Sequence, residues 1–185
     1  MTQPLQVLRD RLILIQCRQG KDEGFEALVG AYERPLFYYV RRLLDREEDC
    51  WDALQDVWVR AFRSIRTVRQ AETLSAWLYR VARNAAADQR RRSGTWDALP
   101  EDGDPAAPAA DAPDAELSGG FSAREIHQAL GELPLPEREA LTLYFLEGFL
   151  IREIAEITGA PEGTVKARLH WAKRHLRAIL QEGGR

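Results

Sequence analysis

The sequence predicts an all-α protein of two small helical domains joined by a flexible acidic linker, the C-terminal domain carrying a helix-turn-helix. Three observations predict it. Apolar residues recur at three- and four-residue intervals, the helical period, and no segment alternates as a half-buried strand would. Residues 93–120, SGTWDALPEDGDPAAPAADAPDAELSGG, are dominated by Pro, Gly, Ala and Asp and offer little to a core. The stretch from Ile151 to Leu180 reads as a short helix, a tight Gly-containing turn and a longer cationic helix. The expected units are 1–92, a linker 93–120, and 121–185.

Leu5, Leu8, Leu12 and Ile15 make one helical stripe, with Gly20 just after its end. Phe25, Leu28, Val29 and Tyr32 begin a second helix, which Pro35 is expected to kink or restart before Leu36 to Leu44. The third spans Asp49 to Ile65, with Leu54, Val57, Trp58, Ala61 and Ile65 inward. The fourth runs from about Thr73 to Arg92, its seam formed by Leu74, Trp77, Leu78, Val81, Ala82 and Ala85. Arg80, Arg83, Asn84, Ala87 and Arg91 make a second, polar stripe on that helix. Beyond the linker, Phe121 to Leu133 is one helix, broken by Pro134 and Pro136, and Glu137 to Glu147 the next, stopped by Gly148.

The final pair carries the functional signal. Ile151, Ile154, Ala155 and Thr158 share one face, and Gly159 suits a turn with positive φ. In the last helix Val165, Leu169, Ala172, Leu176, Ile179 and Leu180 fall within one arc, which must face a core. Thr164, Lys166, Ala167, His170, Trp171, Arg174 and Arg177 fall on the other side. From Gly163 to Leu180 there are five Lys or Arg and no Asp or Glu. A helix with a buried seam and a basic, aromatic outer face fits the major groove of DNA.

The net charge of −3 conceals segregation. Residues 1–92 carry +4, residues 93–120 carry −7 and residues 121–185 are neutral, so basic surfaces coexist with an acidic total. No apolar run approaches the roughly 18 residues that span a bilayer, and the N-terminus lacks a signal-peptide layout, so a cytoplasmic protein without membrane insertion is expected. Cys17 and Cys50 lack CxxC spacing and read as buried reduced thiols. His127, His170 and His175 are the three histidines, and no HExxH, P-loop or nucleophile elbow appears. No catalytic residue, metal or cofactor is therefore expected.

The stretches GKDEGFEALVGAYERPLFYYVRRLL, DALQDVWVRAF, LSAWLYRVARNAAADQRRR, LPLPEREALTLYFLEG and IREIAEITGAPEGTVKARLHWAKRHL, in this order, cover most of the chain. Together they resemble the alternative sigma factors of the extracytoplasmic-function (ECF) type, promoter-specificity subunits of bacterial RNA polymerase in the sigma-70 family. The resemblance implies core RNA polymerase, promoter DNA and an anti-sigma factor as partners. It implies that Leu54, Gln55, Asp56 and Arg60 belong to the surface that docks on the polymerase clamp helices. The fourth helix and the loop before it resemble the reader of the minus-ten element, with Arg69, Gln70, Trp77, Arg80, Arg83, Asn84 and Arg91 as its residues. There the loop from Arg66 to Glu72 would pocket an extruded base, while Trp77 also serves the apolar seam.

The last helix resembles the minus-thirty-five reader. Lys166, Ala167, His170 and Trp171 occupy its base-facing turns, Thr164 and Arg174 suit phosphates, and Arg168 borders the apolar seam. Two features depart from the family pattern. Trp171 stands where Arg is common, to pack on a thymine methyl or sugar or to shield the helix. Phe149, Leu150 and Ile151 form an apolar patch, either extra core or a partner surface. The alternative is a stand-alone helix-turn-helix regulator, which would dimerise on a palindrome. Nothing reads as a dimer helix or an effector pocket.

Overall fold

The computed structural model describes residues 4–94 and 122–182, and among these every regular element is helical. The helices are α1 (Pro4–Arg18), α2 (Asp22–Leu43), α3 (Glu47–Ser64), α4 (Leu74–Arg92), α5 (Ala123–Glu132), α6 (Leu135–Leu141), α7 (Ile151–Thr158) and α8 (Glu162–Glu182). The acidic stretch expected as a linker lies, apart from Ser93 and Gly94, outside the described residues.

In the first module α2, α3 and α4 close on one another through residues at helical spacing. Leu28, Leu36, Tyr39 and Val40 of α2 meet Ala53, Leu54, Val57 and Ala61 of α3, and Leu74, Leu78, Ala82 and Ala85 of α4, all essentially inaccessible to water. Cys17 and Cys50 are buried and free, as expected, and burial raises both thiols above their ordinary range. α2 runs on through Pro35, so of the expected kink or restart the restart does not occur. One lost backbone hydrogen bond is outweighed where Tyr32, Leu36 and Tyr39 bury their side chains on either side of the proline.

The α1 stripe is a second correction. Leu5, Leu8, Leu12 and Ile15 are exposed, and α1 instead buries Asp10, Ile13, Leu14 and Cys17. The Tyr32 hydroxyl donates to Asp10 Oδ2 at 2.6 Å and Arg9 Nε donates to Asp10 Oδ1 at 3.1 Å, so the carboxylate is satisfied inside. α1 and α2 approach so closely that a Cβ on Gly24 would lie 2.6 Å from the Cys17 nitrogen.

In the second module a Ser122–Glu125 capping box opens α5. α6 starts at Leu135, two residues earlier than expected, because Pro136 falls in its first turn, where a missing N–H costs nothing. Its last turn widens into a π-turn, Thr142–Leu146, after which the Phe149 N–H bonds the Leu143 carbonyl at 3.0 Å and the Phe149 ring turns inward. α7 ends at Gly159 with φ 72°, the left-handed conformation that turns the chain into α8. The expected α8 seam holds: Val165, Leu169, Ala172, Leu176 and Leu180 are buried and Ile179 is half-buried.

The modules pack together, α7 against α4 and α6 against α2. The Tyr79 ring lies 5.1 Å from that of Tyr39 and 4.9 Å, edge-on, from that of Phe149, while its hydroxyl bonds Glu147. Phe149 is thus core at the module boundary, whereas Leu150 beside it stays exposed.

Candidate nucleic-acid interface

The loop between α3 and α4 is two short 3-10 turns, Ile65–Thr67 and Ala71–Thr73, flanking an extended apex at Val68 to Gln70. Ile65, Val68 and Ala71 are buried anchors. The hydroxyls of Thr67 and Thr73 donate to the carbonyls of Ser64 (2.7 Å) and Gln70 (3.0 Å) and close each turn. Arg69 and Gln70 are exposed at the apex. Arg18, from the end of α1, donates through Nη2 to the carbonyls of Val68 (2.6 Å) and Arg69 (2.8 Å). A cleft of about 430 Å³ opens beside the loop, lined by Thr67, Val68, Arg69, Gln70, Thr73, Ala76, Trp77 and Arg80, with Glu156 of α7 at its wall. Trp77 packs on the core and also lines the cleft. A flat ring, amide groups and guanidinium groups around one opening can stack on and hydrogen-bond an unpaired base.

Along the polar stripe of α4, Arg80 and Asn84 are exposed. Arg83 is not: its Nε donates at 2.9 Å to Glu139 Oε1 of α6, and the Tyr39 hydroxyl donates to the same oxygen at 2.7 Å. Glu139 is 2% exposed. Burial, and then the Glu139 carboxylate, hold the Tyr39 hydroxyl far above its ordinary pKa, so it remains a donor. Arg91 pairs with Asp88, which Arg60 also engages at 2.6 Å.

On α8, Lys166 and Arg174 are exposed, and Thr164, Arg168, His170 and Trp171 are half-buried. Ala167 is buried, at 4% exposure, contrary to its expected outer position. Both α6 and α7 pack on α8, so its covered arc is wider than a single seam. The Arg174 guanidinium lies 5.0 Å above the Trp171 ring, and the His170 ring meets that ring edge-on at 5.5 Å. Trp171 Nε1 and His170 Nε2 are both buried without a hydrogen-bond partner.

On α3 the expected docking residues divide. Leu54 is core, and Gln55 is exposed. Asp56 accepts from Arg92 at 2.7 Å and Arg60 from α3 reaches Asp88 of α4. Trp51 is exposed and stacks 4.4 Å from Phe37, with Val59 and Phe62 exposed on the same helix. Sequence reasoning missed Arg18, Tyr39, Glu139 and Glu156. Their partners lie 50 or more positions away along the chain for Arg18, Tyr39 and Glu139, so no local spacing marks them.

Sigma-70 region 2 matches residues 28–95 and Sigma-70 region 4 matches residues 123–176. The chain is 30% identical over 183 positions to the ECF RNA polymerase sigma-E factor of Haemophilus influenzae, spanning 94% of this chain and 96% of that one. It is 27% identical to the RNA polymerase sigma-H factor of Pseudomonas aeruginosa, spanning 94% of each. Among solved structures, the fold is similar to CnrH in complex with the cytosolic domain of CnrY, with a TM-score of 0.67, 22% identity, and coverage of 94% of this chain and 98% of that one. The sigma factor RpoE in complex with the anti-sigma factor NepR, from Bartonella quintana, gives a TM-score of 0.65 at 25% identity, covering 85% of this chain and 96% of that one.

Proposed function

Because the chain belongs to the ECF sigma factors of the sigma-70 family, which direct RNA polymerase to promoters and catalyse no reaction themselves, we propose that its two modules read the minus-ten and minus-thirty-five elements in turn. The module 1–92 docks on core polymerase through Gln55, Asp56 and Arg60 on α3, with Leu54 holding that face from beneath. Arg69, Gln70, Trp77 and Arg80 receive an unpaired base of the minus-ten element in the cleft. Arg83, Asn84 and Arg91 meet the strand beside it. Lys166, His170 and Trp171 enter the major groove at the minus-thirty-five element, and Thr164 and Arg174 meet phosphates. Arg168 and Ala167 shape that helix from its covered side. The stretch 93–120 joins module 1–92 to module 121–185.

Strand opening draws on binding energy from the captured base, and polymerase carries out RNA synthesis. A cytoplasmic location and an anti-sigma partner complete the reading; the second rests on the anti-sigma factor bound to the similar RpoE. Among the described residues no helix is long and apolar enough to cross a membrane.

The observation that carries the reading is the cleft, in which a preformed loop and an aromatic ring flank two guanidinium groups. Fluorescence anisotropy on a labelled promoter tests it. The chain alone should bind weakly and the chain on core polymerase tightly. Tight, sequence-specific binding by the chain alone would contradict it.

A further inference from the structure

We propose that Arg18 is a positioning residue for base capture: its guanidinium sets the shape of the loop apex and thereby the place where Arg69 and Gln70 meet the unpaired base. The proposal rests on the reading of that loop as the minus-ten base reader.

The apex is the weak point of the loop. Val68 and Gln70 have extended backbone, with ψ of 116° and 137°, between turns that each close their own hydrogen bonds. The Gln70 carbonyl has a local donor in Thr73, whereas the carbonyls of Val68 and Arg69 take a donor from outside the loop. One Arg18 nitrogen supplies it to two consecutive carbonyls, at 2.6 and 2.8 Å. For both oxygens to reach one nitrogen the apex must bend around it. Charge-assisted bonds from a planar guanidinium hold that bend in direction as well as distance.

The other end of the arm is rigid. Arg18 follows Cys17, whose backbone nitrogen is in such close approach to Gly24 that no Cβ fits between. α1 is further locked to α2 by Asp10, buried and bonded to Tyr32 and Arg9. Arg11 adds an exposed contact to Glu72 at 3.4 Å, at the far side of the loop. Val68 and Ala71 are pinned in the core while Arg69 and Gln70 face the cleft, so the register of the two exposed side chains depends on the apex between the pins. Arg18 itself does not line the cleft, which separates its role from that of a base contact.

The test uses holoenzyme assembled from core polymerase and the full chain, transcribing a promoter library randomised across both elements. Arg18→Gln should lower base preference at the captured minus-ten position by on the order of 10-fold, the change that about 1.4 kcal/mol of lost discrimination gives, with minus-thirty-five preference unchanged. Arg18→Lys, which keeps charge and donors without the fixed plane, should fall between Gln and the parent. Arg69→Ala with Gln70→Ala should flatten the same position. Backbone amide shifts of Arg69 and Gln70, recorded on each free variant, should move with Arg18→Lys even if Arg18→Gln folds poorly. A loss of output by Arg18→Gln equal for every minus-ten sequence, or an unchanged preference, would overturn the role of Arg18 while leaving the loop reading intact. An unchanged preference in the Arg69/Gln70 variant would overturn the loop reading, and this proposal with it.

Discussion

Glu139 sits between α2, α4 and α6 with two donors on one oxygen and almost no contact with water. Removing a buried acceptor strands its donors, which costs about 1–3 kcal/mol. Glu139→Ala should therefore lower the thermal midpoint by several degrees, and Glu139→Gln, which keeps an acceptor, by less; calorimetry checks the order. Because Arg83 is held by this carboxylate, a DNA phosphate near Arg83 must compete with it. His127 offers a second residue-scale handle. Arg42 Nη2 lies 2.7 Å from His127 Nδ1 and Nη1 lies 3.3 Å from Nε2, and since arginine only donates, this contact favours the neutral imidazole, which can accept at one of the two. Partial burial first, then Arg42 and Arg41, push its pKa below the ordinary imidazole value. A depressed folded value means the contact is fully present above about pH 6.5 and is lost as pH falls through the folded value. NMR titration of the His127 ring should show the lowered midpoint, and Arg42→Gln should move it upward.

At the scale of elements, α3 combines a buried seam with an exposed face proposed to dock on polymerase, and substitution separates them. Leu54→Ala should destabilise the fold by about 2–5 kcal/mol, as large-to-small changes in closed cores do. Gln55→Ala should leave the thermal midpoint unchanged and weaken association with core polymerase. Equal loss of stability in both variants would contradict that division. α3, α4, α7 and α8 were legible in the sequence because one apolar arc per helix dominates each of them. α1 was not. Its sequence carries two overlapping stripes, and the buried one includes Asp10, whose charge argues for exposure until Tyr32 is seen beside it. The Leu5, Leu8, Leu12 and Ile15 stripe is the more apolar and lies outside. At Pro35 local backbone chemistry disfavours a continuous α2, and packing on both sides of the proline sustains it.

At the scale of the whole molecule, the sequence marks two helical units and their order but not how they meet. α4 buries Ser75, Ala76, Tyr79 and Ala86 in addition to its expected seam, because the second module lies against it. The cleft is shaped by that meeting as well, since Glu156 belongs to α7 and the loop residues to the first module. The residues proposed to read bases stand in the sequence as residue types at helical spacing, whereas Arg18, bonded to the loop carbonyls, and Glu139, bonded to Arg83, act across 50 or more positions and leave no periodic trace. Transcription by core polymerase with and without this chain, on promoters randomised at both elements, decides whether the two modules read promoter DNA from the polymerase. Two sequence blocks at fixed separation should be enriched, the upstream block weakened by Lys166→Ala and strand opening at the downstream block impaired by Asn84→Ala. Enrichment that does not require the chain, or that survives both substitutions unchanged, would contradict promoter reading by the two modules.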